Sequence, residues 1–322
     1  MKILILGGAG FLGTNLTRGW LGNPDAQVTV LDSFDNRFQS NKKSLDDVWE
    51  KISVVRGSIL DERLLAEIVP QHDVIYHLAA QSSHTLSLKQ PILDAEINCL
   101  GTLKLLESIR LFHPEALVIY PSSTTSVGKA EEDIIDENHS EKPLEIYSAN
   151  KGVSEKYFQI YNLVHGLKTI VFRFSNLYGP YGKASAEFGF INHFIYQALN
   201  HRPLTIFGSG EQIRNVLYVG DAVELLMSAA YQPQLCGQLA QATSPHHHSV
   251  RQIAQTIVET FQSGHVVYET WPNERKRIDV ESVRFSSEKL RALTGWSAPT
   301  DLVTGIRRTC EILLSSESRE RP

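Results

Sequence analysis

The chain has 322 residues, of which 42% are hydrophobic and 21% charged, with a formal net charge of −5. That length buries a full core and allows one large or two closely joined domains. The acidic balance leaves no basic footprint for nucleic acid, and no apolar run approaches the ~18 residues that a membrane helix needs.

Ile3–Leu6 reads as a short apolar strand running straight into glycines. It lacks the charged n-region, long apolar stretch and cleavage site of a secretory signal, so a cytoplasmic location is expected. Phe11 to Trp20 reads as a helix, Val28–Leu31 as a second strand ending at Asp32, Ile52–Val55 as a third and Val74–His77 as a fourth. A helix follows from about Ile97 to Leu111, then a strand at Leu117–Tyr120, a helix from about Ser148 to Val164 and a strand at Thr169–Phe172. Continuous apolar strands alternating with helices predict an α/β fold with a doubly wound parallel sheet.

The pattern changes near Gly179. Residues 1–178 are expected to form the doubly wound domain. Residues 179–314 are expected to form a smaller, mostly helical ligand-binding region, from which a strand or helix can return to the sheet. Within it, Gly179 to Glu187 reads as a loop, Ile191 to Leu199 as a helix and Leu204 to Phe207 as a strand before the Gly208-Ser-Gly210 turn. Residues 315–322 read as a polar, frayed tail. His246 to His248 do not fall at metal-ligand spacing on any helix and are read as a surface loop. Cys99, Cys236 and Cys310 are too few and too widely spaced for a disulfide framework, so three buried or half-buried thiols are expected.

Gly7, Gly10 and Gly13 follow the first strand and open the first helix. The first glycine permits a tight turn, the second lets the backbone approach a pyrophosphate, and the third lets helix and strand pack closely. The helix N-terminus then offers N–H groups and a positive dipole end to phosphates. Asp32, at the end of the second strand, would accept hydrogen bonds from ribose hydroxyls and repel a 2′-phosphate. This favours NAD over NADP, with Arg37 nearby as the one opposing sign.

Tyr147 and Lys151 stand four apart, on one face of a helix. An unperturbed phenol titrates near ~10, so a neighbouring cation is needed to favour phenolate. Tyr147 could then take the proton of a hydroxyl whose carbon gives up a hydride. The run Ser122-Ser-Thr-Thr-Ser126 supplies hydroxyls beside it.

Together these residues resemble the extended short-chain dehydrogenase/reductase family, in its NAD-dependent sugar epimerase/dehydratase branch. Gly7 to Gly13, Leu31-Asp-Ser33 with Asn36, His77-Leu-Ala-Ala80, Asn98 and Arg173-Phe-Ser-Asn-Leu-Tyr-Gly-Pro180 carry the likeness. So do Gly208 to Arg214 with Asp221, and Ser286 to Trp296. The resemblance implies an NAD site of Gly7, Gly10, Phe11, Leu12, Asp32, Ser33, Asn36, Ser58, Ile59, Leu78, Ala79, Ala80, Asn98, Ser122, Tyr147 and Lys151. It implies Thr124, Tyr147 and Lys151 as catalytic residues, and Gln81, Thr124, Asn176, Phe207 and Arg214 as contacts for a nucleotide-diphosphate sugar, with no metal. Asn176 and Arg214 are expected to meet the diphosphate, for which an Arg fork is well shaped. The resemblance further implies a homodimer through a four-helix bundle of the helices Asn98–Leu111 and Tyr147–Val164, with Leu103, Leu106, Phe158 and Tyr161 as apolar outer positions. The alternative for those four is packing on the sheet.

The chain departs from the family pattern at Thr124 to Gly128, where the loop is one residue short and lacks its aromatic. Thr125 and Ser126 stand where sugar 4,6-dehydratases carry Asp and Glu, which argues against dehydration and decarboxylation. Ser58 and Asn215 each replace a usual Asp. One hydroxyl, one Tyr, one Lys and NAD suffice to oxidise C4 and reduce it again, so an epimerase at C4 is expected. The segment Gln81 to Ser87 is similar to CDP-sugar 2-epimerases, which keeps C2, dehydration and reduction open beside it. An NAD-binding sensor is the remaining alternative, and it would need neither Tyr147 nor Lys151.

Overall fold

The computed structural model describes residues 1–38, 40, 42–272 and 276–320. Seven strands form one parallel sheet: β1 (Lys2–Leu6), β2 (Gln27–Asp32), β3 (Ser53–Arg56), β4 (Val74–His77), β5 (Leu117–Ser123), β6 (Lys168–Phe174) and β10 (Leu239–Ala242). Their order is β10-β6-β5-β4-β1-β2-β3, so the winding reverses between β1 and β4. Crevices at such reversal points, at the carboxyl ends of the strands, are where ligands bind in this class of sheet.

The continuous apolar runs arise because both faces of the sheet are covered. Alternate residues of one strand enter different cores: Ile3 and Ile5 join one, Leu4 and Leu6 the other, all fully buried. The first core lies under α1 (Phe11–Trp20) and α8 (Val219–Ala229), with Trp20, Tyr76 and Leu226 in it. The second lies under α2 (Glu62–Ile68), α5 (Gly101–Phe112) and α6 (Ile146–His165). The helices read from sequence are found within a few residues of their expected bounds. The helix carrying Asn98 contains a π-helical turn, Glu96–Leu100, ahead of α5. Such turns mark places where side chains are re-aimed.

A third core joins α7 (Phe190–Leu199), α9 (Val250–Phe261), β8 (Pro203–Phe207), β9 (Ile213–Tyr218) and the C-terminal helix Leu302–Glu320. Short strands accompany the helices of this region. β9 pairs with β7 (Asn176–Tyr178) and with β11 (His247–Ser249), and β8 pairs with β12 (His265–Glu269). The chain returns to the large domain through α8 and β10. β10 extends the sheet beside β6.

Three expectations are corrected. Only His246 of the histidine run is an exposed loop residue: His247 and His248 lie in β11, and His247 Nε2 accepts the Phe285 N–H at 2.9 Å. Burial pushes the His247 pKa down to about 4. The polar tail is helical to Glu320, and Arg321 and Pro322 lie outside the described residues. Leu106, Phe158 and Tyr161 face the sheet rather than outward, and Leu103 packs against the same core. The exposed large apolar residues of α5 and α6 are instead Leu111, Phe112, Ile146, Val153, Ile160, Leu163 and Val164. All three cysteines are free, Cys99 and Cys236 half-buried and Cys310 buried. Among the described residues no helix is long and apolar enough to cross a membrane.

Candidate active site

A cleft opens at the carboxyl ends of β1, β2, β4, β5 and β6. One end is built by the glycine turn. Gly7 has φ +80°, and a Cβ there would lie 2.7 Å from the Ala79 Cα. A Cβ on Gly13 would lie 2.2 Å from the Gly7 carbonyl oxygen. Close contact between turn, helix and the β4 loop therefore requires both glycines. α1 begins at Gly10 with no side-chain cap, so the first-turn N–H groups of Phe11 and Leu12 border the cleft.

Asp32 is 5% exposed and braces this end. Its Oδ2 accepts the Ala9 N–H at 3.0 Å, and its Oδ1 accepts the Phe34 N–H at 2.8 Å and the Ser40 hydroxyl at 2.6 Å. Arg37, the residue that left room for a 2′-phosphate, is exposed and held by Asp35 at 2.7 Å. The hydrogen bonds from the Arg37 side chain pull the Asp35 pKa below the usual carboxylate range.

The other end gathers hydroxyl and titratable side chains. Thr124, Tyr147, Lys151 and Ser122 line it together, as do Leu78, Ala79, Ala80 and Asn176. Lys151 is 5% exposed; its Nζ donates to the Pro121 carbonyl at 2.9 Å and sits 4.1 Å from the centre of the Tyr120 ring. Burial pushes its pKa down to about 7, with Glu155 and Asp94 opposing. Burial raises the Tyr147 pKa well above its ordinary value, and Glu145 and Asp94 add to the rise. In the free chain Tyr147 therefore keeps its proton. Behind this wall Ser122 donates to Glu155, which is fully buried and held by Arg173 through Nε at 3.0 Å. Arg173 also pairs with Glu141.

The cleft gathers Gly7, Gly10, Phe11, Leu12, Asp32, Ser33, Ser58, Ile59, Leu78, Ala79, Ala80, Ser122, Thr124, Tyr147, Lys151 and Asn176 of the expected set. Five others stand apart. Asn36 is exposed on a 3-10 turn. Gln81 is fully buried and donates through Nε2 to Asp94 at 2.6 Å, so it shapes the loop rather than facing the cleft. Asn98 accepts the Gln81 N–H at 3.1 Å and donates to the Gln81 carbonyl at 2.9 Å, a second layer behind Ala80. Phe207 packs on Trp271, with ring centres 5.6 Å apart. Arg214 is 8% exposed and pairs with Asp279 at 2.5 Å. Burial lowers the Arg214 pKa and raises that of Asp279. Asn215 is not a ligand-facing residue: it is fully buried, and its Nδ2 donates to the Ser244 carbonyl at 2.7 Å, fixing the approach to β11.

Two features of the cleft escaped the sequence reading. Lys183, in the Gly179 to Glu187 loop, reaches Ser82 Oγ at 3.3 Å and covers the Phe188 ring at 3.9 Å; burial pushes its pKa down to about 8. His84 begins α3 (His84–Lys89), and its Nδ1 pairs with Glu145. Its ring meets Tyr147 edge-on, with centres 5.1 Å apart. His84 and Glu145 are 61 positions apart, so no local pattern links them.

The sequence profile of the NAD dependent epimerase/dehydratase family matches residues 3–267. A putative UDP-glucose 4-epimerase of Methanocaldococcus jannaschii is 31% identical over 95% of this chain and 96% of its own. A CDP-paratose 2-epimerase of Salmonella typhi is 33% identical over 71% of this chain and 74% of its own. The structure of a Thermus thermophilus UDP-glucose 4-epimerase in complex with NAD superposes with a TM-score of 0.85 at 26% identity, covering 97% of this chain and 98% of that one. The glycine cradle that any Cβ would fill, the uncapped N-terminus of α1 and the Asp32 carboxylate fit this dinucleotide. NAD is the cofactor of the site, and the chain belongs to the NAD-dependent epimerase/dehydratase family, a branch of the extended short-chain dehydrogenases/reductases.

Proposed function

We propose that this chain is a nucleotide-diphosphate-sugar epimerase that inverts C4 through a transient 4-keto sugar. The observation that carries this reading is the composition of one cleft. It holds a dinucleotide cradle at one end and Thr124, Tyr147 and Lys151 at the other. The short turn after β5 lines the cleft with Thr124 and Thr125 and with no carboxylate.

The chain's residues divide the work. Thr124 and Tyr147 hold the sugar hydroxyl, and Tyr147 takes its proton and later returns it. Lys151, once charged, lowers the cost of the phenolate. NAD, when bound, would supply the hydride acceptor and donor for the sugar carbon, so that none is consumed. Asn176, held by a 3.0 Å bond from its Nδ2 to the Asn215 carbonyl, lines the wall where the diphosphate is expected. Arg214 reaches that diphosphate by exchanging its Asp279 partner for phosphate oxygens. Phe207 stacks near the base.

The enzyme is read as cytoplasmic and homodimeric. The exposed Leu111, Phe112, Ile160, Leu163 and Val164 on α5 and α6 support a helix-to-helix contact between two copies.

Incubation with UDP-, dTDP-, CDP- and GDP-sugars, without added NAD(H), tests the activity. The expected result is interconversion of one C4 pair at constant mass. Loss of water or gain of two hydrogens, seen by mass spectrometry, would replace the epimerase with a dehydratase or a reductase. A panel returned wholly unchanged would remove the reading.

A further inference from the structure

Inverting C4 by oxidation and reduction needs one proton carrier, and Tyr147 is that group. The cleft holds a second one. His84 lines the cleft, with its side chain 39% exposed, and its Nδ1 is taken by the Glu145 carboxylate, which is 6% exposed. Glu145 Oε1 also accepts the Ser148 hydroxyl at 2.9 Å, while Oε2 is buried with no partner. The carboxylate is thus fixed by α6, and it fixes the imidazole in turn. With Nδ1–H donated to Glu145, Nε2 is left as an acceptor, and no described residue fills it. A histidine whose Nδ1 is oriented by a carboxylate is a general base in waiting at Nε2. The edge-on contact with Tyr147 places this imidazole at the proton-transfer end of the cleft, away from the glycine cradle.

We propose that His84, positioned by Glu145, serves the carbon next to the ketone. The proposal rests on the reading that C4 is oxidised at this site. In the ketone, the C–H bond of C3 or C5 is acidified by the adjacent carbonyl. His84 Nε2 takes that proton, and the bonding pair moves into an enolate whose oxygen was the ketone oxygen. Return of a proton from the imidazolium, to the face from which it was taken, restores the ketone. No further oxidant or reductant is involved. The turn after β5 carries hydroxyls where acid–base groups could stand, and His84–Glu145 supplies that function from α3 and the start of α6 instead. A further activity, proton exchange at the carbon beside C4, belongs to this enzyme.

The test supplies the ketone directly, so that it does not depend on hydride transfer. NAD-loaded protein is incubated in D2O with UDP- and dTDP-4-keto-6-deoxyglucose, and deuterium at C3 and C5 is followed by NMR and mass spectrometry. Binding of each probe is checked by calorimetry. The wild type should exchange one carbon-bound hydrogen well above the enzyme-free rate. His84→Ala should lose exchange by at least ~100-fold, in the range of a removed general base, and added imidazole should restore part of it. His84→Gln keeps an amide facing Glu145 and guards against a folding defect; it should lose exchange as fully. Glu145→Gln should lower exchange by roughly tenfold, since it orients the base without being it. A wild type that binds a probe and exchanges nothing overturns the proposal, as does a His84→Gln protein that exchanges at the wild-type rate. Exchange without any turnover in the sugar panel would instead count against oxidation at C4 while leaving His84 in place.

Discussion

Tyr147→Phe is expected to lower kcat by 10²- to 10⁴-fold, about 3–5 kcal/mol of transition-state stabilisation, while binding NAD as the wild type does. The ring keeps its edge-on contact with His84, so packing survives the loss of one oxygen. The hydroxyl makes no hydrogen bond to a described residue, so removing it strands no buried partner. Turnover of the active sugar and NAD affinity by calorimetry separate the two effects. Burial, Glu145 and Asp94 all hold the proton on Tyr147 in the free chain, so the phenolate is a form that only the assembled complex favours. A Phe variant with wild-type turnover would remove Tyr147 from the mechanism, and a variant that lost NAD as well would give it a binding role instead.

Gly13→Ala carries the second large effect. In an exposed helix interior this change is favourable by ~1 kcal/mol. Here the new Cβ would stand 2.2 Å from the Gly7 carbonyl oxygen and 2.7 Å from the Gly8 Cα, and both atoms belong to backbone. The turn must move, at the ~1–3 kcal/mol typical of overpacking, and with it the cradle that borders the cofactor. Denaturant melts should show that loss, and NAD should bind at least about tenfold more weakly, or ~1.4 kcal/mol. Gly166→Ala is the matched control. Unlike Gly13, Gly166 has a positive φ, +71°, and a Cβ there meets nothing within 4 Å. It should lose only the left-handed strain, ~1–2 kcal/mol, and keep its NAD affinity.

The parts legible in the sequence were those encoded by short-range pattern. Ile3–Leu6 announced a doubly covered strand because every residue in it is buried, two toward each core. Gly7, Gly10 and Gly13 announced the cradle because their spacing is itself the constraint. Tyr147 and Lys151 met in one cleft because one helical turn separates them. What stayed hidden depends on long-range partners. Arg214 could be read as an unpaired cation because Asp279 stands 65 positions away. Nothing near His84 in the sequence points to Glu145, which only the fold brings beside it. Gln81 looked like a ligand contact, yet Asp94 and the turn at Ser83 bury it. The outward faces of α5 and α6 were misassigned because both helices are apolar on more than one side. Leu106 and Phe158 went to the core, while Leu163, at 85% exposed, did not.

On the C4-epimerase reading proposed above, hydride leaves C4 and returns to it without meeting solvent. The direct measurement uses the sugar nucleotide found active in the panel, deuterated at C4 and incubated in ordinary water with the NAD-loaded enzyme. The C4 epimer is predicted to appear with its deuterium still on C4, whatever exchange takes place at the neighbouring carbon. An epimer whose C4 deuterium has been replaced by solvent hydrogen, or a labelled substrate that is consumed without any C4 epimer appearing, would contradict it.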